Sequence, residues 1–94
     1  MDFKQLKTFL TVFDTGNITR AAEILHLVQP AVSRQIKLLE EDLGTPLFER
    51  QRHGMVPTEA GRMLVDYARR SMLELDRARA EIVGAKNGIG GIVT

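Results

Sequence analysis

Phe3, Leu6, Phe9, Leu10 and Phe13 recur at spacings of three and four near the start of the chain, the period of a helix that buries one side. Asp2 stands in the N-cap position with Gln5 three residues on, a capping box, and Gly16 supplies a left-handed stop. Asn17 caps a second predicted helix whose buried side is Ile18, Ala21, Ala22 and Leu25, with small residues at 21 and 22 that let another helix approach closely. After a break at Leu27-Val28-Gln29-Pro30, the residues Val32, Ile36, Leu39 and Leu43 fall in one narrow sector at about 100° per residue and predict a third helix ending at Gly44. The opposite sector of that helix carries Pro30, Ser33, Arg34 and Lys37, with Gln29 at the N-terminal edge.

Thr45-Pro46-Leu47-Phe48-Glu49-Arg50 and Met55-Val56-Pro57 flank Gln51-Arg52-His53-Gly54, two short extended segments around a glycine-containing turn. This pattern predicts a β-hairpin. Thr58 caps a long last helix that the pattern carries from about Glu59 to Val83, with a stop at Gly84; its length would be roughly 37 Å at about 1.5 Å per residue. Along it Val65, Ala68, Met72, Leu75, Arg79 and Ile82 alternate by three and four in a heptad-like seam. Near Leu64 the seam has the chain's own core to pack on; beyond Met72 a second copy is the better partner. Arg79 interrupts the seam, which favours an antiparallel helix pair over a long two-stranded coiled coil. The tail from Asn87 to Thr94 is rich in glycine and turns apolar where the sequence ends, as a linker cut short would.

Composition narrows the chemistry. The 94 residues, 44% hydrophobic with five aromatic side chains, are enough for one small domain. There is no cysteine, and His26 and His53 are isolated, so disulfides, thiolate metal sites and zinc clusters find no ligands. The first residues lack the apolar core of a signal peptide and no apolar run approaches a membrane span, so a cytoplasmic protein with no membrane partner is expected. Thirteen basic against twelve acidic side chains leave a formal charge of +1. Residues 1–57 hold seven of each, so positive charge aimed at a nucleic acid must come from its distribution, with Glu40, Glu41 and Asp42 placed elsewhere.

Two short helices around a tight turn form the arrangement in which a helix-turn-helix holds its second helix out toward a DNA major groove, and a hairpin directly after it is a wing. For an isolated helix, the polar side of residues 29–37 would be ordinary solvated surface; the surrounding elements give it a purpose. In that setting Arg34 offers a planar fork to guanine O6 and N7, Gln29 pairs with adenine, and Pro30 with Ala31 meets a thymine methyl. Ser33 reaches either a base edge or a phosphate, and Lys37 a phosphate. Arg52 and His53 at the wing tip face the backbone or a minor groove. Thr19, Arg20 and Thr58 lie near helix N-termini, where phosphates dock. Arg50 has two partners open to it, a phosphate or an internal carboxylate. His26 reads as structural.

The chain resembles the N-terminal DNA-binding domain of LysR-type bacterial transcriptional regulators. The matching pieces are Phe9, Ala21-Ala22, Gln29-Pro30-Ala31-Val32-Ser33-Arg34-Gln35-Ile36, Leu39-Glu40, Leu43-Gly44, Leu47-Phe48-Glu49-Arg50 and Thr58-Glu59-Ala60-Gly61, in order, within a match running to about Ala85. The resemblance implies a mainly α fold, a winged helix-turn-helix with a small β-hairpin wing and a long C-terminal linker helix for dimerisation. It divides the chain into a DNA-binding domain over 1–58, the linker helix over 59–84 and a hinge over 85–94. That hinge would lead into a periplasmic-binding-protein-like domain that senses a small-molecule effector, with Gly90 to Thr94 entering its first strand. It further implies a homodimer on an interrupted palindrome in promoter DNA, a tetramer at full length and no cofactor within this fragment.

Two positions depart from the family pattern. Val28 stands where Ser or Thr is usual and is a poor cap, and Pro57 stands where Leu is common, so that the second wing strand is expected to pair only in part. Two other function classes fit the sequence less well. An enzyme lacks a glycine-framed nucleophile turn here and has little core in which to sink a pocket. A winged helix used only for docking proteins fits the near-neutral charge, but not the stripe of Gln29, Ser33, Arg34 and Lys37 beside a basic wing.

Overall fold

The computed structural model describes residues 1–91, with side chains described through residue 86. Four helices and one hairpin follow in the order α1 (Phe3–Thr15), α2 (Ile18–Leu25), α3 (Gln29–Leu43), β1 (Phe48–Gln51), β2 (Gly54–Pro57) and α4 (Glu59–Gly91). The architecture is mainly helical, with a two-stranded antiparallel wing after the helix-turn-helix.

The helix ends form where local chemistry places them. The Gln5 amide donates to the Asp2 carboxylate at 2.8 Å and the Asp2 amide donates back to Gln5 Oε1 at 3.2 Å, completing the capping box. Gly16 closes α1 at φ 67° and Gly44 closes α3 at φ 74°. The Asn17 side chain accepts from the Arg20 amide at 3.0 Å. His26 ends α2 in the left-handed region at φ 57°, a conformation uncommon for a residue with a Cβ. The Leu27 amide reaches back to the Ala22 carbonyl at 2.9 Å, the closing bond of a Schellman turn. This gives His26 the structural role expected of it.

Val28 caps α3 with its backbone alone; it makes no side-chain cap bond. Pro30 follows at the second helical position, where its missing N–H removes one donor that would otherwise need a partner. A Val28→Ser substitution is expected to raise unfolding stability by about 0.5–1 kcal/mol, measured as a shifted urea midpoint at constant slope. No shift would mean that the first turn of α3 gains nothing from a cap.

The core forms where α1, α2 and α3 meet beneath the wing and the first turns of α4. Phe9, Val12, Ala21, Val32, Leu39 and Leu47 are completely enclosed. The Phe9 ring lies 5.9 Å from Phe13 and 5.5 Å from Phe48, centroid to centroid, both tilted. The apolar stripes thin out at their ends: Phe3 is 50% exposed and Leu43 is 39% exposed.

Three expectations are corrected. Pro57 does not break the wing: the register runs from Phe48↔Pro57 through Glu49↔Val56 and Arg50↔Met55 to Gln51↔Gly54. The Thr58 amide continues the ladder to the Leu47 carbonyl at 2.9 Å, which makes the neighbouring Phe48↔Pro57 pair a non-hydrogen-bonded one. The absent N–H of Pro57 therefore costs nothing. Second, Val65 and Ala68 are not on a surface for a second copy; they are 7% and 1% exposed within the chain's own core. Third, α4 does not stop at Gly84 but runs on to Gly91. Gly84 has open space around it and no left-handed backbone, and a lone glycine in a helix costs only about 1 kcal/mol relative to Ala. Of the strand entry expected over Gly90 to Thr94, Gly90 and Gly91 belong instead to the end of α4, and Ile92 to Thr94 lie outside the described residues.

Candidate nucleic-acid interface

Helix α3 is fixed from one side and open on the other. Val32, Ile36 and Leu39 are buried, whereas Gln29, Pro30, Arg34 and Lys37 are exposed and Ala31 and Ser33 half-buried. The division predicted from spacing is observed for these residues, except that Leu43, expected on the buried side, is exposed and Ser33, expected on the open side, is half-buried.

The wing is carried to this open side by the turn between α1 and α2. The Met55 amide donates to the Gly16 carbonyl at 2.9 Å. Gly54, at φ +140°, lies so close that a Cβ there would run into the same carbonyl oxygen. The wing-tip residues Arg52 and His53 thereby come to rest beside the first turns of α2 and α3. Between them lies a groove of about 330 Å³ whose walls include Thr19, Gln29, Ser33, Arg50, Arg52 and His53. Asn17, Ile18, Gln51, Gly54 and Met55 complete it, so no carboxylate lines the groove.

The other expected contacts lie around this groove rather than in it. Pro30 borders a shallower depression with Leu27, Val28 and Glu23, and Lys37 lies a turn further along α3 beside Glu40, Glu41 and Pro46. Thr58 turns inward: its hydroxyl donates to the Pro46 carbonyl at 2.7 Å and accepts from the Gly61 amide at 3.1 Å. With its proton committed to the fold, that hydroxyl acts as a joint and cap, not as a free phosphate donor.

Three ion pairs form among the described residues: the Met1 amino group with Asp42, Arg69 with Asp14, and Arg77 with Glu74. None engages Arg20, Arg34, Lys37, Arg50 or Arg52, so five cations on or near this surface keep their charge unpaired. For Arg50 this removes the internal-carboxylate alternative. The net charge is nearly balanced, yet Arg50 and Arg52 stand in the groove's walls with no carboxylate among them, which leaves the groove positive.

Past the body, α4 projects alone, giving the molecule extents of 55 × 25 × 19 Å. Arg69 anchors its base to α1 through Asp14 at 2.8 Å and lies 5.8 Å from the Phe13 ring. Beyond it Met72 is half-buried, whereas Leu75 and Ile82 are 53% and 69% exposed and Arg79 is exposed. No helix among the described residues is long and apolar enough to cross a membrane.

Sequence reasoning missed Asn17, Gln51 and Met55 as groove walls, and Gly16 as more than a helix stop. Their roles depend on the wing folding back onto the α1–α2 turn, a long-range contact with no periodic signature. The sequence marks Glu40 as one of three consecutive acids and as part of the Leu39-Glu40 family piece, with no sign of the amides it receives.

These features agree with known proteins. The model for bacterial regulatory helix-turn-helix proteins of the lysR family matches residues 3–62. The chain therefore belongs to the lysR family. The nitrogen assimilation regulatory protein nac of Escherichia coli (strain K12) is 36% identical over 94 residues, 100% of this chain and 31% of that protein. The HTH-type transcriptional regulator ClcR of Pseudomonas putida is 45% identical over 82 residues, 85% of this chain and 28% of that protein. The chain thus spans under a third of the length of these relatives. A crystal structure of a CbnR DBD–DNA complex superposes with a TM-score of 0.85 at 40% identity, covering 92% of this chain and 99% of that one. A BenM DBD complex with benA site 1 DNA gives 0.83 at 33% identity, over 87% and 95% of the two chains.

Proposed function

We propose that this chain is the part of a bacterial LysR-type transcriptional regulator that binds double-stranded promoter DNA sequence-specifically, in the cytoplasm. The observation that carries the reading is the carboxylate-free groove between the N-terminal end of α3 and the wing, continuous with the exposed polar side of that helix. A rod anchored by Val32, Ile36 and Leu39 and open along Gln29, Pro30, Ala31, Ser33 and Arg34 suits the major groove. Arg50, Arg52 and His53 then meet backbone or minor groove on one flank, and Thr19, Arg20 and Lys37 meet phosphates. ClcR is an HTH-type transcriptional regulator, nac a nitrogen assimilation regulatory protein, and the CbnR and BenM structures are DNA complexes, which supports this reading over catalysis.

The test is a binding titration on duplexes selected from a random pool, run at two salt concentrations. Affinity for selected duplexes is expected to exceed that for random ones by about a thousandfold or more and to fall steeply with salt. Equal, salt-insensitive affinity for both would overturn the reading.

Dimerisation through α4 is part of the same proposal, narrowed to Met72, Leu75, Arg79 and Ile82 now that Val65 and Ala68 belong to the protomer core. Wild type is expected to sediment as a dimer and Leu75→Asp as a monomer. An unaltered mass would remove this stretch as the interface. The effector and the tetramer of a full-length regulator rest on family membership alone.

A further inference from the structure

We infer that Glu40 is the positioning residue that sets the placement of the wing relative to α3, an inference that rests on the DNA-binding reading above. The Glu40 carbonyl accepts from the Gly44 amide at 2.8 Å and from the Thr45 amide at 3.2 Å. Its side-chain Oε2 accepts from the Leu47 amide at 2.7 Å and from the Phe48 amide at 3.4 Å. Pro46, the remaining residue of the segment, has no N–H to offer. Every amide from Gly44 to Phe48 therefore ends on this one residue, half-buried on α3.

The carboxylate is a direct strut between two parts of the DNA-facing surface. Glu40 lies on α3, one turn beyond Lys37 and on the same helix as Arg34. Phe48 opens β1, which carries Arg50 and leads to Arg52. Leu47 is wholly enclosed, so its amide has no water to turn to once the carboxylate is gone. An ionised acceptor makes the stronger bond here. The far side of the segment is tied as well, by the Thr58 amide on the Leu47 carbonyl and the Thr58 hydroxyl on the Pro46 carbonyl. With the α3 side released, the segment stays attached to α4 and the wing to the α1–α2 turn through Met55 and Gly16, but the direct tie that sets the wing's placement against α3 is lost. Arg34, fixed by the helix, is unaffected.

The inference is tested by double-mutant cycles on DNA binding, with amide exchange as a second readout. Glu40→Ala is expected to weaken binding to a selected duplex about tenfold, equivalent to ~1.4 kcal/mol. In that background Arg52→Ala is expected to have less than half of its wild-type effect, whereas Arg34→Ala keeps its full effect. Glu40→Gln, which retains an acceptor oxygen, should recover most of the loss. Exchange of the Leu47 amide should accelerate in the Ala variant while that of Phe9 does not. A role in stability alone would leave the contrast between Arg52 and Arg34 unmoved. Independent, multiplicative effects of Glu40→Ala and Arg52→Ala overturn the inference, as does equal coupling to both arginines or an unchanged Leu47 amide. Failure of wild type to bind any duplex would instead sink the DNA-binding reading, and unchanged exchange at Leu47 would still count against the strut on its own.

Discussion

Phe9→Ala is expected to lower unfolding stability by about 3–5 kcal/mol, the range for removing a fully buried aromatic ring. Phe9 is completely enclosed and its ring meets both Phe13 on its own helix and Phe48 at the start of the wing. Pairs of this kind add about 0.5–1.5 kcal/mol each beyond the area they bury. Helix α1 packs on α2, α3 and α4 and touches β2, so the cavity would open where all the elements converge and none could collapse into it alone. For a domain near the low end of the roughly 5–15 kcal/mol of natural proteins, such a loss leaves a sizeable unfolded fraction at ordinary temperature. Urea unfolding by circular dichroism measures it directly; a loss below about 1 kcal/mol would place the hub of the core elsewhere. DNA binding should weaken in step with the unfolded fraction and recover with added duplex, because a ligand that binds only the folded state pulls the equilibrium back. That recovery distinguishes a packing residue from one at the interface.

The helices of this fold were legible because each is encoded locally. Asp2 with Gln5, Asn17, Gly16 and Gly44 act through their own backbone and that of near neighbours, and the stripe of Val32, Ile36 and Leu39 needs only the helical period to be seen. The same stripe predicted which side of α3 would be left open. What spacing could not give is how much of a stripe finds a partner. Leu43 continues the stripe yet emerges at 39% exposure, in a shallow apolar hollow with Met63, Leu64 and Tyr67. Val65 and Ala68 keep the heptad spacing that suggests a second copy, but the protomer's own body claims them first. One period serves both purposes along α4, and only the position where the body ends tells them apart.

The site was legible in the same uneven way. Gln29, Ser33 and the basic wing were read from sequence, and the structure gathers them with Thr19 around one groove. The joints that bring them together were not read. Gly16 looked like a helix terminator and is also the acceptor that seats the wing through Met55. Gly61 looked like a family signature, and a Cβ there would collide with the Leu47 carbonyl. Glu40 looked like one of three consecutive acids, yet its neighbours point elsewhere: Asp42 pairs with the N-terminus, and Glu41 is simply exposed. Long-range amide partners leave no trace in composition or period, so these residues become visible only once the chain has folded back on itself.

Arg34→Ala should cost about 1–3 kcal/mol of specific binding, roughly 5- to 150-fold, and relax the requirement at one base pair. The side chain is exposed on the flank of α3 away from Ile36 and Leu39 and holds no ion pair among the described residues, so its planar fork is available for two parallel bonds to guanine. Charge alone would not read a base. Arg34→Lys separates the two contributions, since it keeps the positive charge but replaces the fork by a point donor. The lysine variant is expected to retain the wild-type salt slope while losing most of the discrimination between matched and singly mismatched duplexes. Lys37→Ala should behave in the opposite sense, weakening all duplexes alike and reducing the slope by about one. Titrations of the three variants against one matched duplex and its single-pair changes decide the matter. If Arg34→Lys discriminates as well as wild type, Arg34 acts through its charge and base reading must be assigned to Gln29 and Ser33 beside it.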